Sequence, residues 1–354
     1  MITRHPEFDA AQARVAAQLD SLRTRLLQSH RSLGIFGRLS RRISGANWQP
    51  ERGLYIWGGV GRGKTKLMNQ FYDSLRFRKR ERTHFYRFMR EVHAELRAAP
   101  QRTDPLDWVA ERLARRARVL CLDELFVADI ADAMILAGLF QGLIRRGVTL
   151  VATSNLAPQD LYKDGLQRQR FLPAIELLQT HLEVVHLDGG VDYRLRQLET
   201  APTYLDSNNA ATPTALRARF AEIAGGAVPP IKRVHIEGRS ITAIAAGAGV
   251  VWFEFSELCD GPRSQNDYIE LARIYQTLFI SNIPLFCRDQ DNAARRFIML
   301  IDELYDRGVK IVVSAAAAPA ALYQGEALNF EFQRASSRLI EMQTTQYLAR
   351  PHLP

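Results

Sequence analysis

The run Gly58-Gly59-Val60-Gly61-Arg62-Gly63-Lys64-Thr65 constrains this chain more than any other stretch of its 354 residues. It has the spacing GxxxxGK[ST] and lies between a short apolar run, Gly53 to Trp57, and a helical pattern that extends to about Leu75. Strand, glycine loop and helix in that order form a phosphate cradle. Glycines let backbone N–H groups curl around the phosphates, and the N-terminus of the following helix adds a favourable dipole. Gly58, Gly59, Val60, Gly61, Arg62, Gly63, Lys64 and Thr65 are therefore the candidate nucleotide contacts. Lys64 is placed to reach β- and γ-phosphate oxygens, and the Thr65 hydroxyl to meet Mg²⁺. A chance match in a glycine-rich turn is the plain alternative, and the flanking elements argue against it.

Beyond Pro50 the chain alternates strand with helix. Strands are expected at Gly53 to Trp57, His84 to Phe88, Val119 to Leu122, Val148 to Ala152 and Leu182 to Leu187. Helices are expected at Met89 to Leu96, Pro105 to Arg116 and Ile130 to Arg145. Such alternation implies parallel crossover units and an α/β sheet covered on both faces. Ahead of it, residues 6–30 carry Val15, Leu19, Leu22 and Leu26 at helical spacing. A polar run from Thr200 to Pro213 marks a boundary, and further strands are expected at Val250 to Phe255, Thr277 to Ile280 and Lys310 to Ser314. Helices Asp267 to Tyr275 and Asn292 to Tyr305 lie between them. The expected division is an N-terminal helical segment over 1–50, a nucleotide-binding core over 51–199 and a second α/β domain over 200–354.

Ligands of such sheets bind at the carboxyl ends of the strands, where Asp123, Glu124 and Asn155 fall. Asp123 is the candidate Mg²⁺ carboxylate. Glu124 is the candidate base for an attacking water, and the Asn155 amide can hold that water or sense the γ-phosphate. Taken alone, the acids could be solvated carboxylates opening a helix, and Asn155 could cap one. Arg168 and Arg170 are candidates for a guanidinium acting on a neighbouring subunit's nucleotide, the alternative being an ordinary charged helix face. Arg334 and Arg338 share a helix face at i, i+4 spacing, and Arg338 is the second-domain candidate for nucleotide contact, against simple surface charge.

The net charge of +9 would suit an anionic partner. In the arginine clusters (Arg38, Arg41 and Arg42; Arg76 to Arg82; Arg112 to Arg118) aromatic residues are not interleaved as a series of stacking platforms, Phe77 being the single one among them, so nucleic-acid binding is not the favoured reading. Three cysteines, Cys121, Cys259 and Cys287, show no spacing of a disulfide framework or zinc site. The N-terminus has no apolar leader core, and no stretch reaches the length of a membrane span. The chain reads as cytoplasmic.

The pattern Arg146-Gly147-Val148, Val151, Ala157-Pro158, Leu161-Tyr162 returns at Arg307-Gly308-Val309, Val312, Ala318-Pro319, Leu322-Tyr323, a constant spacing of 161 residues. Ala316 stands where the first copy has Asn155. Either this is a degenerate repeat of the fourth strand with its site chemistry gone, or two strands have converged on a proline-started helix.

The loop Gly58–Thr65, the stretches Cys121–Met134, Ala152–Tyr162, Gly165–Ile175 and Val191–Arg196, and in the second half Leu258–Tyr268 and Phe332–Gln343, together resemble the ZapE family of bacterial cell-division ATPases. The mitochondrial lactation-elevated ATPases are related to it. The similarity runs from about residue 10 to the end; the stretch after Thr200 and the run Ala243 to Gly249 depart from the family pattern. The resemblance implies a P-loop core of AAA+ type with sheet order 5-1-4-3-2, and Mg²⁺ and ATP as ligands. It also implies association with the division-ring protein FtsZ, and it permits a nucleotide-dependent homo-oligomer. Matched to family roles, Lys64 and Thr65 belong to Walker A, Asp123 and Glu124 to Walker B, and Asn155 to sensor one.

The expected activity is Mg²⁺-dependent ATP hydrolysis that remodels or stabilises a protein assembly, with an ATP-dependent nucleic-acid remodeller or loader as the alternative. A small-molecule kinase is disfavoured by the adjacent Asp123 and Glu124, because a built-in water base favours hydrolysis over transfer.

Overall fold

A computed structural model describes residues 8–31, 50–59, 61–99, 103–188, 198, 201–226, 232–247 and 249–353. Val60, the basic stretch with Arg38, Arg41 and Arg42, Gly189 and Gly190, the segment Val191–Arg196, and Thr200 lie outside them. The chain divides into two compact units, Met1–Val191 and Asp192–Pro354.

The first unit is built on five parallel strands: β1 (Gly53–Trp57), β2 (Arg80–His84), β3 (Val119–Asp123), β4 (Thr149–Ser154) and β5 (Leu182–His186). Their order is β2-β3-β4-β1-β5, the AAA+-type order implied by the resemblance. Successive residues of a strand point to opposite faces, and the two cores divide accordingly. Tyr55, Leu120, Leu122, Leu150 and Ala152 join one core with α3 (Phe85–Ala98), α4 (Pro105–Arg116), α5 (Ile130–Arg145) and α6 (Leu172–His181). Leu54, Ile56, Val119, Cys121 and Val151 join the other, with α1 (Ala10–Arg31) and α2 (Lys64–Ser74). Val15, Leu19, Leu22 and Leu26 of α1 are all fully buried in that second core.

One expected strand is displaced. His84 to Phe88 reads as a strand from its aromatic content, but the strand is the charged segment Arg80–His84, and helix α3 starts at Phe85. The buried residues Phe85, Phe88, Met89 and Val92 recur at helical spacing. The real strand is an edge strand with every residue half-buried, so it shows no apolar alternation.

The second unit holds β6 (Tyr204–Asp206), α7 (Thr212–Ala224), a hairpin of β7 (Lys232–Ile236) and β8 (Arg239–Ala243), then β9 (Ala245–Gly247) and β10 (Val250–Glu254). It continues with α8 (Phe255–Cys259), α9 (Gln265–Ile274), β11 (Thr277–Ile283), α10 (Asp291–Asp306), β12 (Lys310–Ala315), α11 (Asn329–Glu341) and α12 (Thr345–Leu348). Its sheet order is β6-β12-β11-β10-β9, parallel except for the β9 edge. The run Ala243 to Gly249 thus contains that antiparallel edge strand. Among the described residues no helix is long and apolar enough to cross a membrane.

Candidate functional site

Strand β1 delivers the chain to the glycine loop, and the loop's geometry depends on its glycines. A Cβ at Gly58 would lie 2.6 Å from the Leu187 carbonyl oxygen. Gly63, immediately before α2, takes φ 84°, a left-handed conformation that disfavours any residue with a side chain. Helix α1 braces the loop from outside: the Gln12 side-chain amide donates to the Arg62 carbonyl at 3.1 Å. Nothing in the N-terminal sequence marks Gln12 for this contact, which joins residues fifty positions apart.

Lys64 opens α2 and is buried, with its ammonium donating to the carbonyls of Gly58 and Gly59, both at 2.6 Å, and to Asn155 Oδ1 at 2.9 Å. Two sequence candidates, one at the start of α2 and one just after β4, therefore meet directly. Thr65 follows in the first turn of α2, half-buried.

Asp123 ends β3, and Glu124 follows with φ 55°. That unusual backbone is held by β4: the Glu124 N–H donates to Thr153 Oγ1 at 3.0 Å, and the Leu125 N–H to the Thr153 carbonyl at 2.7 Å. Both acids are almost wholly buried. Burial pushes the Asp123 carboxyl above the usual aspartate range, against the Arg82 guanidinium, which favours the carboxylate. Arg82 Nε lies 2.6 Å from Asp123 Oδ2 and the guanidinium also bonds Asn69. His84 Nε2 lies 3.3 Å from Glu124 Oε2. Arg82 and His84 thus hold the two acids from the edge strand, and sequence reading missed both. The signal was the alternation Arg82, Thr83, His84, which puts both basic side chains on one face of the strand.

The arginine candidates differ. Arg168 donates to the Gln159 carbonyl, whereas Arg170 is exposed and makes no ion pair among the described residues. Arg338 bonds Asp302 at 2.6 Å and Asp306 at 3.3 Å and lies over the Tyr305 ring; Arg334 also bonds Asp302. Arg338 is thus engaged within the second unit's own packing.

No group of three or more His, Cys, Asp or Glu among the described residues could cage a metal. The Thr65 hydroxyl and the Asp123 carboxylate are hard oxygen donors of the kind Mg²⁺ takes when phosphates complete its shell. They fit such an ion as a companion of a triphosphate.

The model of the AFG1-like ATPase family matches residues 3–351. The chain belongs to the AFG1-like ATPase family. It is accordingly an ATP hydrolase with a P-loop site. Cell division protein ZapE of Escherichia coli K12 is 47% identical over 304 residues, 86% of this chain and 81% of that protein. Lactation elevated protein 1 homolog B of Danio rerio is 36% identical over 344 residues, covering 84% and 68%. Among solved structures, the DnaC helicase loader is 13% identical, with a TM-score of 0.37 over 52% of this chain and 94% of that one. That likeness is too loose to bear on function.

Proposed function

We propose that this AFG1-like ATPase hydrolyses ATP with Mg²⁺ at the carboxyl ends of β1, β3 and β4, and that the energy remodels or stabilises a protein assembly, with the FtsZ division ring as candidate. The observation that supports the site most directly is the Lys64–Asn155 contact, which joins the phosphate loop to the end of β4. On this reading the loop N–H groups and Lys64 bind the phosphates. Thr65 and Asp123 would hold Mg²⁺, which when bound neutralises charge on the phosphate oxygens. Asn155 orients the attacking water, and Glu124 accepts its proton. His84 and Arg82 fix the two carboxylates. Arg170, rather than Arg168, acts on the nucleotide of a neighbouring copy.

The protein-assembly part rests on the kinship with the cell division protein ZapE. Co-sedimentation with FtsZ polymers tests it: ATP-dependent pelleting that survives nuclease treatment is expected. Salt-sensitive binding to a short duplex or single strand, with no pelleting, would move the reading to nucleic-acid remodelling.

A further inference from the structure

Four strands of the second unit repeat four strands of the first. Sheet order β10-β11-β12-β6 matches β2-β3-β4-β1, all parallel, and the chain visits the four strands in the same sequence. Helix Ile130–Arg145, strand Thr149–Ser154 and turn Pro158–Asp160 reappear as Asp291–Asp306, Lys310–Ala315 and Pro319–Ala321. Every boundary keeps the spacing of 161 residues seen in the sequence pattern.

Atomic contacts repeat as well. Tyr55 Oη donates to the Leu156 carbonyl at 2.9 Å, and Tyr204 Oη to the Ala317 carbonyl at 2.7 Å. The Gly58 N–H donates to the Ser154 carbonyl, and the Ser207 N–H to the Ala315 carbonyl. Glu124 at φ 55° has its N–H on Thr153 Oγ1, and Asn282 at φ 60° has its N–H on Ser314 Oγ at 2.9 Å. Five described non-glycine residues have positive φ. Two of them occupy this same position with the same hydroxyl cap, and convergence on a generic strand and helix gives no reason for that. Even the side-chain pairs correspond. His84 with Glu124 becomes Glu254 with Asn282, and Arg82 with Asp123 becomes Trp252 with Ser281.

The chemistry has been removed from the copy. Ser281, Asn282 and Ala316 stand where Asp123, Glu124 and Asn155 do. The turn from Ser207 to Ala211 has no glycine, and no lysine follows it. Most of its N–H groups are consumed locally: Asn208 donates to Asp206 Oδ1 and Ala211 to Asn209 Oδ1, both at 2.9 Å, and Asn209 to the Asp206 carbonyl. The Asp206 carboxylate adds negative charge beside the place where phosphates would sit.

We propose that the second unit is a diverged copy of the ATPase core whose phosphate site has been closed, so that the whole chain binds one nucleotide. The stoichiometry rests on the phosphate-loop reading of Gly58–Thr65; the copy itself does not. Equilibrium dialysis of the full chain against Mg²⁺ and a non-hydrolysable ATP analogue is expected to give one nucleotide per wild-type chain and none for Lys64→Ala. Two per chain, or one retained by Lys64→Ala, would overturn the closed site. No binding by the wild type would refute the phosphate-loop reading instead. The copy is then judged by thermal unfolding of paired variants. Glycine tolerates positive φ and valine does not. Asn282→Val is therefore expected to lower the unfolding midpoint by about 4 °C or more, and Asn282→Gly to shift it by about 1 °C or less. Glu124→Val and Glu124→Gly should show the same contrast. Asn282→Val without effect would overturn the duplication.

Discussion

Lys64 meets three acceptors from two strand ends, and a buried ammonium needs all of them. Lys64→Ala should therefore abolish ATP binding and also lower stability, since it leaves buried carbonyls without their donor. His84 carries a subtler role. Its Nε2 meets Glu124, while its Nδ1 accepts from the Tyr86 N–H and so starts α3. As a positioning residue it should affect kcat and leave KM for ATP nearly unchanged: His84→Ala is expected to lower kcat about 3- to 10-fold. His84→Gln, which keeps a donor toward Glu124, should restore most of the loss. Failure of that rescue, with KM rising in both variants, would show that His84 serves α3 rather than Glu124. Of the site residues, those that sequence spacing named (Lys64, Thr65, Asp123, Glu124, Asn155) lie within motifs of recognisable spacing. Arg82, His84 and Gln12 were hidden because each acts through a partner tens of residues away.

At the scale of elements, α4 and α5 are tied by Arg146, which donates to both oxygens of Asp107 at 2.9 and 2.6 Å and to the Gly142 carbonyl at 3.0 Å. The Arg146 hydrogen bonds hold the Asp107 carboxyl below the usual aspartate range. A depressed carboxylate stabilises the fold above its unfolded-state value and loses that contribution as pH falls through the folded value. Asp107 is partly exposed, so the effect is small. Asp107→Asn should lower the unfolding midpoint by about 1–2 °C at neutral pH, and by nothing once acid has protonated the wild-type carboxyl. An equal deficit at both pH values would assign the loss to packing. Elements with strong periodicity or clear caps were legible in the sequence. Helix α4 starts at Pro105 behind an Asp104 cap, and α5 behind an Asp129 cap. The three-residue strand β6 and the charged edge strand β2 carry no such signal, because neither has an apolar face to alternate.

For the whole molecule, the basic charge of the described arginine clusters is engaged in part: Arg76, Arg78 and Lys79 are exposed with no ion pair among the described residues, whereas others are paired. Arg112 pairs with Glu95, Arg115 with Glu111, and Arg116 with both Glu81 and Glu91. Arg80 lies over Tyr72, and Arg82 is engaged with Asp123. The fold class and sheet order followed from alternating strands and the family resemblance. The second unit's kinship to the first was only half-legible, as a single repeated segment, because the remaining correspondence lies in backbone angles and hydrogen bonds. Hydrolysis driven by Glu124, at a site that binds ATP through Lys64, is the proposed activity. Measuring ATP binding and acceptor-free turnover side by side in the wild type and Glu124→Gln checks it. Retained binding with turnover slowed about 100-fold or more is predicted; equal loss of binding and turnover, or turnover that requires an added acceptor, would contradict it.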